Sequence, residues 1–210
     1  MYVPRHFAEH RVEVLHDLIR RHPLGALVVA TPEGPEASHI PFEIDLEPQP
    51  FGTLRCHLAR ANPLWQQIAA DQRVLVVFQG EQGYVSPGWY AAKQEHGKVV
   101  PTWDYVAVHA YGNASVVHDA AWLRRMVEDL TNRHEQGRAE PWHVSDAPGD
   151  YVEKLLGAIV GVEIPLTRLI GKWKLSQNRS SADRQGVVAG LERDGTAAQA
   201  DVAALIKTTL

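Results

Sequence analysis

Three short stretches of this 210-residue chain carry side chains whose types and spacing could hold a ligand. In HLARANP, residues 57–63, the forked cation of Arg60 stands two residues before Asn62 and three before Pro63. Alternation before it and the Asn-Pro pair after it predict a passage from strand to helix, with Asn62 as the N-cap. Free N–H groups at a helix start beside a guanidinium suit a phosphate, and His57 precedes them on the strand. A solvated arginine at a loop corner is the competing account. In VPTWDYVAVHAYG, residues 100–112, an extended backbone places Val100, Thr102, Val106 and Val108 on one face. Trp103, Tyr105, His109 and Tyr111 then fall on the other. One apolar face is enough to bury a strand, so three rings and an imidazole on the second face call for a flat ligand or a second subunit. GKWKLSQNR, residues 171–179, sets Lys172 and Lys174 opposite Trp173 and Leu175, ahead of the polar run Ser176, Gln177 and Asn178. That is either a lysine-protected edge strand or an anion site with amide donors.

Other chemistries lack their residues. No GxGxxG, Walker A, HExxH or GxSxG pattern occurs. Eleven histidines are many for this length, and His39, His57 and His109 lie in expected strands. No two of these have local metal-ligand spacing, and each could simply donate to a carbonyl. Haem held through one histidine is the alternative cofactor. A net charge of −4 and a pI of about 6.2 speak against a long electrostatic footprint on nucleic acid, and direct DNA binding has no support in these residues. The single cysteine, Cys56, excludes an intrachain disulfide and a multi-cysteine zinc site, and its apolar-alternating surroundings predict a buried, inert thiol. No apolar leader opens the chain and no apolar run approaches ~20 residues, so a cytoplasmic protein is expected.

The elements that must position these residues follow from periodicity. A helix is expected over residues 8–21, ended by His22-Pro23. LGALVVAT and residues 37–46 read as a hairpin around PEGPE, and TLRCHLAR as a third strand. NPLWQQIAAD predicts a helix, and RVLVVFQG, apolar on both faces, a central strand that GYVSPGWY extends briefly until Pro87-Gly88 stops it. Tyr84, Trp89 and Tyr90 around that Ser-Pro-Gly turn could clamp a loop, wall a planar ligand or meet a subunit. Residues 100–117 return as a strand. Asp119 caps the clearest helix, which ends at Gly137. A loop, a short helix from Gly149, one or two final strands and a helical tail from about residue 180 complete the chain. The order gives antiparallel strands with inserted helices, without the alternation of a doubly wound sheet. A mainly β single domain over 1–210, barrel-like with peripheral helices, is expected.

Taken together, MYVPRHF, SHIPF, HLARANP, GYVSPGWY, VPTWDYVAVHAYG and GKWKLSQNR resemble, in this order from Met1 to Arg179, the PaiB family of FMN-binding negative transcriptional regulators. The sequence departs from that family's pattern at Asp104, where an asparagine is expected. The resemblance implies a split β-barrel of the pyridoxamine-phosphate-oxidase-like type, a homodimer, and FMN near the subunit interface. It places the FMN phosphate near Arg60 and Asn62, with Ser38, His39 and His57 on neighbouring strands. Trp103 and Tyr105 would lie near the ring or across the interface, with Lys172 and Gln177 as further contacts. The function implied is a flavin-dependent sensor or regulator working through a partner or metabolite; the alternative is an FMN-dependent oxidoreductase with a small-molecule redox partner.

Overall fold

The protein is described by a computed structural model covering residues 1–68 and 72–209. In chain order its elements are β1 (Ala8–Glu9), α1 (Val12–Arg21), β2 (Leu24–Thr31), β3 (Gly34–Pro41), β4 (Glu43–Asp45), β5 (Thr53–Ala59), α2 (Leu64–Gln67) and β6 (Gln72–Val85). There follow α3 (Ala92–His96), β7 (Thr102–Val117), α4 (Ala120–Glu135), α5 (Gly149–Gly157), β8 (Ile159–Lys174), α6 (Ser181–Asp194) and α7 (Ala197–Lys207). Seven strands run in the order β3-β2-β6-β7-β8-β5-β4, and β1 pairs with β8. The registered pairs are antiparallel. This is the mainly β, split-barrel architecture with peripheral helices.

Chain contacts divide it into two compact units, residues 1–18, 79–108 and 170–210 in one, 19–78 and 109–169 in the other. β6, β7 and β8 each contribute residues to both. Their interiors come mainly from alternation: Leu54, Cys56 and Leu58 of β5 are buried, as are Val106, Val108 and Ala110 of β7, with Thr53 and Ala107 buried besides. Each large aliphatic side chain so removed from water contributes about 1.5–3 kcal/mol.

Several boundaries differ from expectation for physical reasons. Residues 8–9 join β8, with Ala8 opposite Lys172, and the Glu9 carboxylate accepts from the Arg11 backbone N–H at 2.9 Å; α1 therefore begins at Val12. The single strand expected over 37–46 is two. β3 pairs with β2, β4 pairs with β5, and Phe42 between them donates its N–H to Pro23 O at 2.9 Å. The helix expected from Asn62 is formed only over Leu64–Gln67, and its expected end reaches residues 69–71, outside the described residues. The helical tail is a hairpin broken at Gly195 and Thr196, whereas Gly186 and Gly190 stay inside α6.

Those two glycines admit Trp89. A Cβ on Gly190 would stand 2.2 Å from the indole ring and one on Gly186 2.1 Å from the Trp89 carbonyl oxygen. The indole N–H donates to Asp194 at 3.2 Å, and the buried Asp183 carboxylate accepts from Ala92 N–H at 2.9 Å. The Ser-Pro-Gly turn is thus clamped onto α6. Replacing Gly190 by Ala in an ordinary helix interior would stabilise by about 0.5–1 kcal/mol. Here it must displace the ring, a cost of about 1–3 kcal/mol. Gly190→Ala is therefore expected to lower the thermal midpoint, and a raised midpoint would show that Trp89 does not need this approach.

Candidate functional site

At the end of β5, Arg60 is exposed yet firmly engaged. Its backbone N–H donates to Ala158 O at 2.8 Å, its Nε to Gly157 O at 3.0 Å and an Nη2 hydrogen to Ile159 O at 2.9 Å. The residue staples the β5 corner to the junction of α5 and β8, and Trp65 Nε1 donates back to the Arg60 carbonyl at 3.0 Å. A guanidinium has five N–H donors, so three remain for an anion. Arg60 borders a cavity of about 420 Å³ together with Arg124, His118 and Glu153. Asn62 Oδ1 accepts from Leu64 N–H at 3.0 Å, but the N-cap position expected for it falls to Pro63, because the helix starts one residue later at Leu64. With only four residues behind it, that helix adds little dipole; of the two arginines at the corner, Arg124 is paired with Glu153 at 3.5 Å and Arg60 keeps uncommitted N–H groups.

His57 is half-buried and lines a separate apolar cavity of about 410 Å³, walled by Trp142, Tyr151, Val152, Leu155 and Ile159. Its Nδ1 is buried without a partner, and loss of solvent lowers its pKa and keeps the imidazole neutral. Ser38, half-buried, and His39, exposed, lie on β3 opposite Leu27 and Ala26. β3 and β5 are not ladder neighbours, because the chain changes partner at Phe42 and β4 takes the place beside β5. Cys56 is fully buried and its thiol pKa is pushed far up by desolvation, an inert group.

The aromatic face of β7 is the other candidate region. Trp103 is 49% exposed, donates from Nε1 to Gln82 Oε1 at 3.2 Å, and meets Tyr84 edge-on at 6.2 Å. The Lys172 ammonium sits 5.1 Å from the centroid of the half-buried Tyr105. Farther along, the Arg168 guanidinium lies 4.0 Å over the Tyr111 ring, and the buried Nδ1 of His109 has no partner. Burial depresses the His109 pKa, so this imidazole too is neutral. The alternation read from sequence is real: residues 104, 106, 108 and 110 are buried, whereas 103, 105, 109 and 111 are half-covered or exposed. Val100 lies before the strand and is 64% exposed, so it is not part of the buried face.

Asp104, on the buried face, is completely enclosed. Ser176 Oγ donates to its Oδ2 at 2.6 Å, and Lys174 Nζ approaches Oδ1 at 3.3 Å while donating to Thr102 Oγ1 and the Trp103 carbonyl. Ser176 takes φ +60, a backbone conformation uncommon outside glycine, and the carboxylate holds it there. Gln177 is spent on the same turn: Oε1 accepts from Leu175 N–H at 2.8 Å and Nε2 donates to Trp173 O at 2.7 Å. Of the residues singled out from sequence, Trp103, Tyr105, Lys172 and Gln177 therefore belong to one unit, and Ser38, His39, His57, Arg60 and Asn62 to the other. The sequence missed Ser176, because its role depends on Asp104, 72 residues away. It also missed Trp142 and Tyr151, which lie in the weakly patterned region after α4. Among the described residues no group of three His, Cys, Asp or Glu side chains is placed to hold a metal, and no helix is long and apolar enough to cross a membrane.

Burial is the main force on Asp104 and raises its pKa; the Ser176 and Lys174 contacts pull it back only in part. A carboxyl whose folded pKa exceeds its unfolded value binds its proton more tightly when folded. Its contribution to stability is therefore full below the ordinary aspartate range and is lost as pH rises through the elevated value. Asp104→Asn removes that loss and keeps an acceptor for Ser176. The midpoint of Asp104→Asn minus that of the natural chain is expected to grow between pH 4 and pH 8, measured by thermal melts. A constant or shrinking difference would contradict the sign.

Residues 1–168 match the family model described as "Putative FMN-binding domain". The chain is 37% identical over 252 residues to an uncharacterized protein of Aspergillus fumigatus, covering 99% of this chain and 97% of that one. It is 30% identical over 197 residues to the protease synthase and sporulation protein PAI 2 of Bacillus subtilis, covering 92% and 90%. Among solved structures, the FAD and heme binding protein from Mycobacterium smegmatis superposes with a TM-score of 0.60 at 19% identity, covering 87% of this chain and 80% of that one. That last likeness concerns the fold. The chain belongs to the PaiB-type FMN-binding domain family of split-barrel flavoproteins.

Proposed function

We propose that this protein is an FMN-dependent sensor that regulates through a partner or metabolite, and that it works as a cytoplasmic homodimer. The observation that carries this reading is the half-open face of Trp103, Tyr105 and Lys172, with Tyr84 edge-on to Trp103. Rings left half-open by their own chain are suited to a flat, partly apolar isoalloxazine and to a second copy of the same surface. Lys172 would meet the polar edge, Gln177 serving only to hold the turn beside it. Arg60 and Asn62, with Ser38 and His39, would hold the phosphate, the three uncommitted N–H groups of Arg60 being its strongest donors. Bound FMN supplies electron and hydride transfer, and the protein supplies binding, orientation and exclusion of water. In this reading both units form one functional domain, because three strands are common to them, and the tail from residue 180 is part of it. A net charge of −4 favours action through a partner over direct contact with DNA.

One specific observation favours a second cofactor. The neutral His57 imidazole, with apolar walls around it, has the chemistry of a haem ligand.

The test is an absorption spectrum of the purified chain, with and without added FMN, and its mass in solution. Flavin bands near ~450 nm that travel with a dimer are expected. Trp103→Ala and Arg60→Ala should each weaken FMN binding about tenfold or more. Because Arg60 also staples two backbone segments, its variant is read only where the melting curve stays cooperative, and Trp103→Ala serves as the independent arm. A Soret band lost in His57→Ala would support haem. Bleaching of bound flavin by a nicotinamide donor would turn the reading toward an oxidoreductase. A colourless protein that ignores FMN would overturn it.

A further inference from the structure

Glu43 and Arg55 face each other directly across the β4–β5 ladder, where an opposite pair normally closes on itself. These two do not. Arg133, from α4, takes Glu43 Oε2 at 2.6 Å, and Arg55 is drawn to Asp45 at 3.8 Å and Asp129 at 3.6 Å. Glu43 is 2% exposed, and its second oxygen, Oε1, has no partner; neither has the buried Nε–H of Arg55. An acceptor and a donor are thus left open on adjacent strands, each costly to bury unmet. Both residues line a cavity of about 800 Å³ that Arg20, Arg133, Asp129 and Asn132 also border.

We propose that this cavity binds a free α-amino acid, its ammonium held by Glu43 and its carboxylate by Arg55 and Arg20. The charges select the class. Glu135 is engaged with Arg138 at 3.0 Å and with the Trp142 backbone N–H at 3.2 Å, which leaves three guanidinium groups against the carboxylates of Glu43, Asp45 and Asp129, a balanced set. A dicarboxylate would force one anion against the open Glu43 oxygen. A diamine would bring a second cation among three arginines. A zwitterion meets both open atoms with opposite charge, and its ammonium offsets the desolvation that raises the Glu43 pKa. The site lies in the unit that holds Arg60 and needs no flavin.

The experiment uses the full chain, melted by fluorimetry with glycine, L-leucine, L-glutamine, succinate or 1,4-diaminobutane at equal concentration, followed by calorimetric titration. At least one amino acid is expected to raise the midpoint by about 2 °C or more, and succinate and the diamine not to. Glu43→Gln keeps shape and removes charge, and Arg20→Ala lies at an exposed position; each should weaken that binding about tenfold. No response to any amino acid, as when an ordered water alone bridges Glu43 and Arg55, would overturn the proposal. So would a shift unchanged in Glu43→Gln, or a response to succinate or the diamine alone.

Discussion

The constraint on which the sheet depends is a single residue. β3 and β4 occupy the two ends of the seven-strand path, yet only Phe42 separates them in the chain. Consecutive Cα atoms are ~3.8 Å apart, so the path cannot lie flat with its ends so joined. It must curl until the ladder on β2 and the ladder on β5 meet at Phe42. That side chain is 1% exposed and packs edge-on against Phe78 of β6 at 5.6 Å. The Phe42 N–H, which neither ladder can use, goes to Pro23. A barrel open along one seam is the outcome of a strand that changes partner after one buried aromatic.

Ladder exchange also explains where the charged groups lie. β4 is three residues long and ends the path, so its inward face is covered by α4 and not by another strand. Glu43 meets Arg133 there as a buried pair. Asp104 is enclosed by a different device, a lysine at the end of β8 and a serine hydroxyl from the turn after it. Desolvation outweighs the attraction of the neighbouring cations in both cases, as the raised pKa values show. The two differ in what is left open. The Asp104 oxygens are both engaged, so it organises a turn; one Glu43 oxygen is buried without a partner, in a residue that lines a cavity.

The aromatic and imidazole groups follow a similar division. Tyr90 and Trp89 are consumed in clamping the turn to α6, with Arg179 over the Tyr90 ring at 4.7 Å. Trp103, Tyr105 and Tyr111 are left half-open, each with a polar or cationic neighbour and none fully covered. Exposed ring area of this kind on a central strand costs solvation unless another surface takes it. The family's cofactor and a second subunit are the two surfaces of the right chemistry.

Alternation and breakers made β2, β5, β6, β7 and the capped α4 legible from residues alone, because a half-buried strand must alternate and Asp119 must satisfy a free N–H, as it does at 2.7 Å to Trp122. The unusual second face of β7 was legible for the same reason. The co-occurrence of six short motifs carried the family, and the family carried FMN and the split barrel. Tertiary structure alone decided the rest. Position 43 reads as the polar, outward side of an alternating strand, and only the arrival of α4 buries it. Arg60 reads as a free cation, and only the return of the chain at residues 157–159 occupies two of its donors. Ser176 reads as one more polar residue of its run until Asp104, 72 positions earlier, accepts its hydroxyl. Period and local bonding are written over a few neighbours in sequence; desolvation and long-range hydrogen bonds are set by residues 70 to 100 positions away, whose approach no local pattern records.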